Sequence, residues 1–327
     1  MSTNPVDAPL LRVDSLVQHF PVRGSRHKKV HAVDGITFSI GHGRTLGLVG
    51  ESGCGKSTCA RSVIRIYSPT AGTVTLGGQD ITRLRESELL PFRRRMQMIF
   101  QDPYSSLNAR MTVRDLLAEP LRAHKIAASR AEEDGRVQEV LEKVGLTREH
   151  AGRYAHEFSG GQRQRIGVAR ALILRPELVI CDEPVSSLDV SVQAQVVNLL
   201  RDFQQELGLA YLFIAHDLSI VRYVSDEVGV MYMGKLVEHS EAPDIYARPL
   251  HPYTRGLLAS IPTADPKLAR LKTDSGLTGD LPSPIDPPPG CRFHMRCPHA
   301  MTRCASEEPP LIEAGPRHSV ACFAVTG

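Results

Sequence analysis

Short apolar runs, broken by glycine and polar clusters, organise the chain. Residues 11–20 and 31–40 alternate apolar and polar side chains, the two-residue period of a half-buried strand. Between them Arg23-Gly24-Ser25-Arg26-His27-Lys28-Lys29 is basic and reads as a solvated turn, so this segment is predicted as an antiparallel β region. Thr45-Leu46-Gly47-Leu48-Val49, Leu178-Val179-Ile180-Cys181 and Tyr211-Leu212-Phe213-Ile214-Ala215 are almost wholly apolar and read as short buried strands. Met96-Gln97-Met98-Ile99-Phe100 is a fourth strand, stopped by Pro103. Residues 73–76 and 80–81 flank Gly77-Gly78-Gln79, a hairpin signal. Residues 83–95 are charged and expected to be helical in part.

Helical spacing takes over elsewhere. Residues 104–158 read as helix-rich, and 137–144 place apolar residues on one face before Gly145, a good C-terminal cap. Further helices are predicted over 58–66, from Ser159 to about residue 174, and after Asp189 to about residue 205.

Chemistry collects where these elements end. Gly50-Glu51-Ser52-Gly53-Cys54-Gly55-Lys56-Ser57-Thr58 fits the phosphate-binding P-loop, and lies between a strand and a helix as that motif requires. The glycines let successive N–H groups converge on one spot, Lys56 puts a cation beside β- and γ-phosphates, and Ser57 offers a hydroxyl to Mg²⁺. Ser159-Gly160-Gly161-Gln162-Arg163 opens another helix with exposed N–H groups, a second anion site. Asp182 and Glu183 follow a buried strand. Adjacent carboxylates there are costly unless they act on a cation or a proton, so the first is expected to hold Mg²⁺ and the second to orient a water. Gln101 and His216 also follow strands, which suggests one shared site.

At 327 residues the chain is long enough for a large and a small domain. A net charge of +3 gives no argument for nucleic acid as a partner. No apolar run approaches membrane-spanning length, and the first residues do not read as a signal peptide, so a cytoplasmic setting is expected, with the seven cysteines reduced or metal-bound. Four of them, Cys291, Cys297, Cys304 and Cys322, are spaced C-x₅-C-x₆-C-x₁₇-C. That is neither a zinc-ribbon pair nor a ferredoxin run. Four thiolates could hold a [4Fe–4S] cluster or a tetrahedral Zn²⁺, or remain reduced thiols; His294 and His299 are read as bystanders.

Taken together, these residues resemble the ATP-binding subunits of ABC transporters over about residues 1–260. The resemblance places Walker A at residues 50–58, the Q-loop at Gln101, the signature at Ser159-Gly160-Gly161-Gln162-Arg163, Walker B ending at Asp182, the catalytic glutamate at Glu183, the D-loop at Ser187-Leu188-Asp189 and the switch histidine at His216. Phe20 falls where the family stacks an aromatic on adenine. Ile99-Phe100-Gln101-Asp102-Pro103-Tyr104-Ser105-Ser106-Leu107-Asn108, Pro249-Leu250-His251-Pro252-Tyr253-Thr254 and the Pro- and Cys-rich tail look like the oligopeptide/dipeptide permease subfamily, the second of its paired ATPase subunits in particular. Ala109, where relatives often have Pro, departs from the pattern outside the nucleotide chemistry.

The resemblance implies an α/β fold, a P-loop NTPase of the ABC nucleotide-binding type with a RecA-like core, an antiparallel β subdomain and a helical subdomain (residues 1–260), followed by a small Cys-rich C-terminal domain (261–327). It implies ATP bound by Phe20, Gly50, Ser52, Gly53, Cys54, Gly55, Lys56, Ser57 and Thr58, and Mg²⁺ held by Ser57, Gln101 and Asp182. Glu183 would polarise water and His216 would contact the γ-phosphate. Ser159, Gly160 and Gly161 would serve the nucleotide of a second ATPase in a head-to-tail dimer, a related chain or another copy of this one, and Gln162 and Asp189 are also implied to bind nucleotide. The implied assembly adds two membrane-spanning permease subunits and an extracytoplasmic solute-binding protein, with this chain peripheral on the cytoplasmic face. Some relatives carry a [4Fe–4S] cluster in the tail. Import of di- or oligopeptides is the expected work; nickel, glutathione or another small solute is an alternative cargo, and a soluble ABC-type ATPase a more distant one.

Overall fold

The computed structural model describes residues 8–25, 27–261, 277 and 279–326. The chain divides into two compact units. One comprises Met1–Leu10, Ile40–Arg44 and Leu76–Ile214; the other comprises Leu11–Ser39, Thr45–Thr75 and Ala215–Gly327.

In the first unit the Leu178–Asp182 strand runs parallel to Met96–Ile99 on one side and Ala210–Ile214 on the other. All five residues of Leu178–Asp182 are buried, as its unbroken apolar run predicts. The register sets Ile99 beside Cys181 and Asp182 beside Ile214, so the C-terminal strand ends lie side by side. Glu183 follows one strand end directly and Gln101 follows the other after Phe100. Phe100, expected within the strand, lies just beyond it and is exposed. Helices Val113–Ala123 and Arg130–Lys143 bear out the helix-rich reading of 104–158, and Gly160–Leu172 and Val190–Leu207 the two helices expected after it. Gly208, at φ 65°, ends the last of these in the left-handed conformation glycine allows.

In the second unit Thr45–Val49 pairs in parallel with Glu227–Tyr232, which turns back antiparallel into Lys235–Glu241. His318–Val320 and Ile312–Gly315 from the tail continue this sheet, His318–Val320 lying against Lys235–Glu241. A separate sheet places Leu11–Pro21 between Lys29–Ile40 and Ala71–Leu76. The helix expected over 58–66 spans Lys56–Val63 instead. It begins earlier because the loop's last glycine, Gly55 at φ 106°, already serves as its N-cap, and it ends earlier because Arg65 swings to φ 62°. Among the described residues no helix is long and apolar enough to cross a membrane.

Candidate nucleotide site

The P-loop is built so that only glycine fits its corners. A Cβ on Gly50 would stand 2.2 Å from the Met231 carbonyl oxygen, and one on Gly55 would stand 2.0 Å from that of Ala32. Both residues also take positive φ, 152° and 106°. The loop is pinned from outside as well, with the Gly234 N–H donating to the Cys54 carbonyl at 2.8 Å. Inside it, the Lys56 ammonium donates to the carbonyls of Gly50 (2.7 Å) and Glu51 (2.9 Å) and is almost wholly buried. A buried ammonium on the first residue of a helix is a concentrated positive charge, the chemistry a polyphosphate requires. Cys54, a residue of the loop itself, is buried. Burial pushes its thiol up, against the opposing pull of Lys56, so it is a neutral packing group rather than a nucleophile.

In the first unit, Asp182 ends its strand wholly buried. Such a carboxylate suits a cation, because an ionised one is otherwise expensive to hold there. Glu183 follows at φ 48°, a strained value for a non-glycine residue, and its N–H donates to the Ile214 carbonyl at 3.0 Å. The Gln101 amide donates to Glu183 Oε2 at 2.8 Å, so two residues expected at one site are in direct contact.

The signature segment is a capped helix start. Ser159 Oγ accepts from the Gln162 N–H (3.3 Å) and Gln162 Oε1 accepts from the Ser159 N–H (3.0 Å), a reciprocal capping box. Gly161 has to be glycine because a Cβ there would lie 2.4 Å from Val192 Cγ1. Val192 belongs to the first turn of the helix capped by Asp189, whose carboxylate accepts from the Val192 N–H at 3.0 Å. Signature and D-loop are thereby locked together.

In the second unit, His216 is exposed in the loop before helix Leu218–Val224, whose cap Asp217 accepts from the Ser219 N–H at 2.7 Å. Phe20 is half-buried with its ring edge-on to Tyr67, centroids 5.1 Å apart.

The structure adds contacts the sequence did not suggest. Asp34 takes hydrogen bonds from His19, His31 and Arg292. Burial alone would raise its pKa, but the three donors hold its carboxyl well below the usual range. His19, His31 and Asp34 are also the one group of three His, Cys, Asp or Glu among the described residues with ligand atoms within 4.8 Å of one another. The Arg292 guanidinium already supplies the cation there. Glu51, inside the P-loop, pairs with Arg296 of the tail.

These features agree with comparisons to known proteins. The ABC transporter family matches residues 33–186, and the oligopeptide/dipeptide transporter C-terminal region matches 237–304. The chain is 54% identical over 314 residues to a putative oligopeptide transport ATP-binding protein of Bacillus subtilis, YkfD, covering 96% of this chain and 95% of that one. The chain belongs to the oligopeptide/dipeptide family of ABC transporter ATP-binding proteins. Escherichia coli OppF, an oligopeptide transport ATP-binding protein, is 50% identical over 322 residues, 97% of this chain and 96% of OppF. Among solved structures, cbiO1 of Clostridium perfringens, part of the cbiONQ transporter complex, superposes with a TM-score of 0.65 at 25% identity, over 80% of this chain and 98% of cbiO1. The ATP-binding cassette MJ0796, solved as a dimer bound to ADP and Pi, gives 0.65 at 24% identity over 71% and 98%, a likeness of fold. As a member of this family the chain is an ABC-type ATPase with the α/β P-loop fold.

Proposed function

We propose that the chain is the ATP-hydrolysing subunit that drives import of di- and oligopeptides across the cytoplasmic membrane. The observation that carries this reading is the likeness to oligopeptide transport ATP-binding proteins along nearly the whole chain, tail included. Hydrolysis is supported by the presence in the sequence of each residue the reaction requires. Lys56 and the loop N–H groups hold the β- and γ-phosphates. Ser57, Asp182 and Gln101 would hold Mg²⁺, which when bound neutralises phosphate charge. Glu183, oriented by Gln101, accepts the proton of a water whose oxygen attacks the γ-phosphorus as ADP departs. His216 contacts the transferred phosphoryl group, and Phe20 stacks on adenine. The capped N-terminus at Ser159, Gly160 and Gly161, with Gln162 and Asp189 behind it, serves the nucleotide of a second ATPase subunit, which we take to be a related chain. Two permease subunits and a solute-binding protein complete the assembly, and the chain works on the cytoplasmic face.

The domain division is residues 1–260 for nucleotide binding and 261–327 for the tail. In the tail each of Cys291, Cys297, Cys304 and Cys322 lies near enough to the other three for their charges to interact. We take a [4Fe–4S] cluster, rather than zinc, as the staple of a segment with little core of its own. His294 stays outside this set, its Nδ1 2.7 Å from the Cys291 carbonyl oxygen.

Uptake of a labelled peptide into proteoliposomes holding the assembled complex tests the reading. ATP-dependent uptake that disappears with Glu183→Gln in this chain supports it; ATP hydrolysis with no peptide uptake contradicts it. Anaerobic purification with about four irons and four sulfides per chain would support the cluster, whereas about one zinc or no metal would remove it.

A further inference from the structure

We infer that Arg296 of the tail is a positioning residue for the P-loop and acts by holding Glu51. Glu51, the second residue of the loop, is fixed at three points. Its carbonyl accepts from the Lys56 ammonium at 2.9 Å. Its N–H donates to the Tyr253 hydroxyl at 2.8 Å. Its carboxylate takes two hydrogen bonds from the Arg296 guanidinium, at 2.7 and 3.1 Å. Two of these three restraints come from residues 237–304, the region shared with oligopeptide and dipeptide transporters.

The restraint is stiff. The Arg296 side chain is 6% exposed and that of Glu51 26%, so this is no loose surface pair. Arg296 also donates to the Tyr232 hydroxyl at 3.4 Å. Tyr232, Tyr253 and Phe293 are buried and stack edge to face, with centroids 4.7–5.4 Å apart, forming a rigid aromatic base for both Glu51 contacts. Arg296 itself lies in the turn 291–297. There the Cys291 carbonyl accepts from the His294 N–H (3.0 Å) and the Phe293 carbonyl from the Arg296 N–H (2.9 Å). The fold of a turn bounded by two cysteines therefore sets the guanidinium, and the guanidinium sets a residue one step from Gly50. Planar two-point pairing is a geometry that arginine provides and lysine does not.

The proposal rests on the ATPase reading and is tested by titrating the purified full-length chain with a fluorescent ATP analogue and Mg²⁺. Arg296→Ala and Glu51→Gln are each expected to weaken binding about five- to tenfold, and the double variant no further than the weaker single, because both changes remove one contact. Arg296→Lys is expected to recover only part of the loss. In the assembled complex the loss should appear in KM, with kcat at saturating ATP within about twofold of the unaltered chain. Arg296→Ala with unaltered affinity, whatever its melting temperature, or single effects that add, overturns the proposal. Should Arg296→Ala fail to fold, Glu51→Gln decides alone, and unaltered affinity in that variant overturns it. An unaltered chain that binds no nucleotide defeats the ATPase reading itself; one that binds while both variants match it defeats only the role of Arg296.

Discussion

The side-chain amide of Gln101 donates to the carboxylate of Glu183 at 2.8 Å, across two neighbouring parallel strand ends. The contact orients the Glu183 carboxylate, which the proposed role as a base for water requires. Glu183→Gln is expected to lower turnover by about 10²–10⁴ while nucleotide affinity stays near that of the unaltered chain. Gln101→Ala, which removes only the orienting partner, is expected to cost less. Steady-state phosphate release beside equilibrium nucleotide titration checks both.

Gly55→Ala would force a Cβ to 2.0 Å from the Ala32 carbonyl oxygen at a φ that side chains rarely adopt. We expect a stability loss of about 3 kcal/mol or more and loss of nucleotide binding. Gly53 makes an informative comparison. It has positive φ but no atom within 4 Å of its Cβ position, so Gly53→Ala should cost only about 1–2 kcal/mol. Urea unfolding of the two variants measures the difference.

Gly161→Val separates the two anion sites. The added side chain collides with Val192 and displaces the signature helix from the D-loop helix. Nucleotide binding by the isolated chain should be unchanged. Turnover of the assembled pair should fall at least about tenfold if, as proposed, the signature serves the partner's nucleotide. Weakened binding by the isolated chain would contradict this division of labour.

His251 predicts a pH dependence of stability. Burial, with a smaller contribution from Arg255, lowers its pKa from the ordinary 6.5 to about 4. It is held neutral, accepting the Tyr253 N–H on Nδ1 at 3.0 Å. The unfolded chain binds this proton more readily than the folded one. The stabilisation is therefore complete above about pH 6.5 and lost as pH falls towards 4, by about 3 kcal/mol in all. His251→Asn keeps a capping acceptor and removes the titration, so its unfolding midpoint should change less between pH 7 and pH 4. Chemical denaturation at several pH values gives both slopes.

Local chemistry made much of this legible beforehand. Unbroken apolar runs marked the buried strands, and the polar residues just past them marked Gln101, Asp182, Glu183 and His216. Helix limits were less legible. The helix after the P-loop starts at Lys56 because Gly55 caps it, and stops when Arg65 enters a left-handed conformation that no residue pattern announces. Contacts between residues far apart in the chain were not legible at all. Arg296 meets Glu51 across 245 positions and Arg292 meets Asp34 across 258, and neither arginine stands out among the chain's 39 basic residues. Such pairs are chosen by how the tail folds back, which periodicity does not encode.

Peptide import is tested most directly by ATP turnover of the assembled complex, measured with and without a peptide-loaded binding protein. Turnover that rises on addition of the loaded protein and falls to background with Glu183→Gln is the predicted result. Strong turnover that is indifferent to the binding protein and to peptide would contradict it.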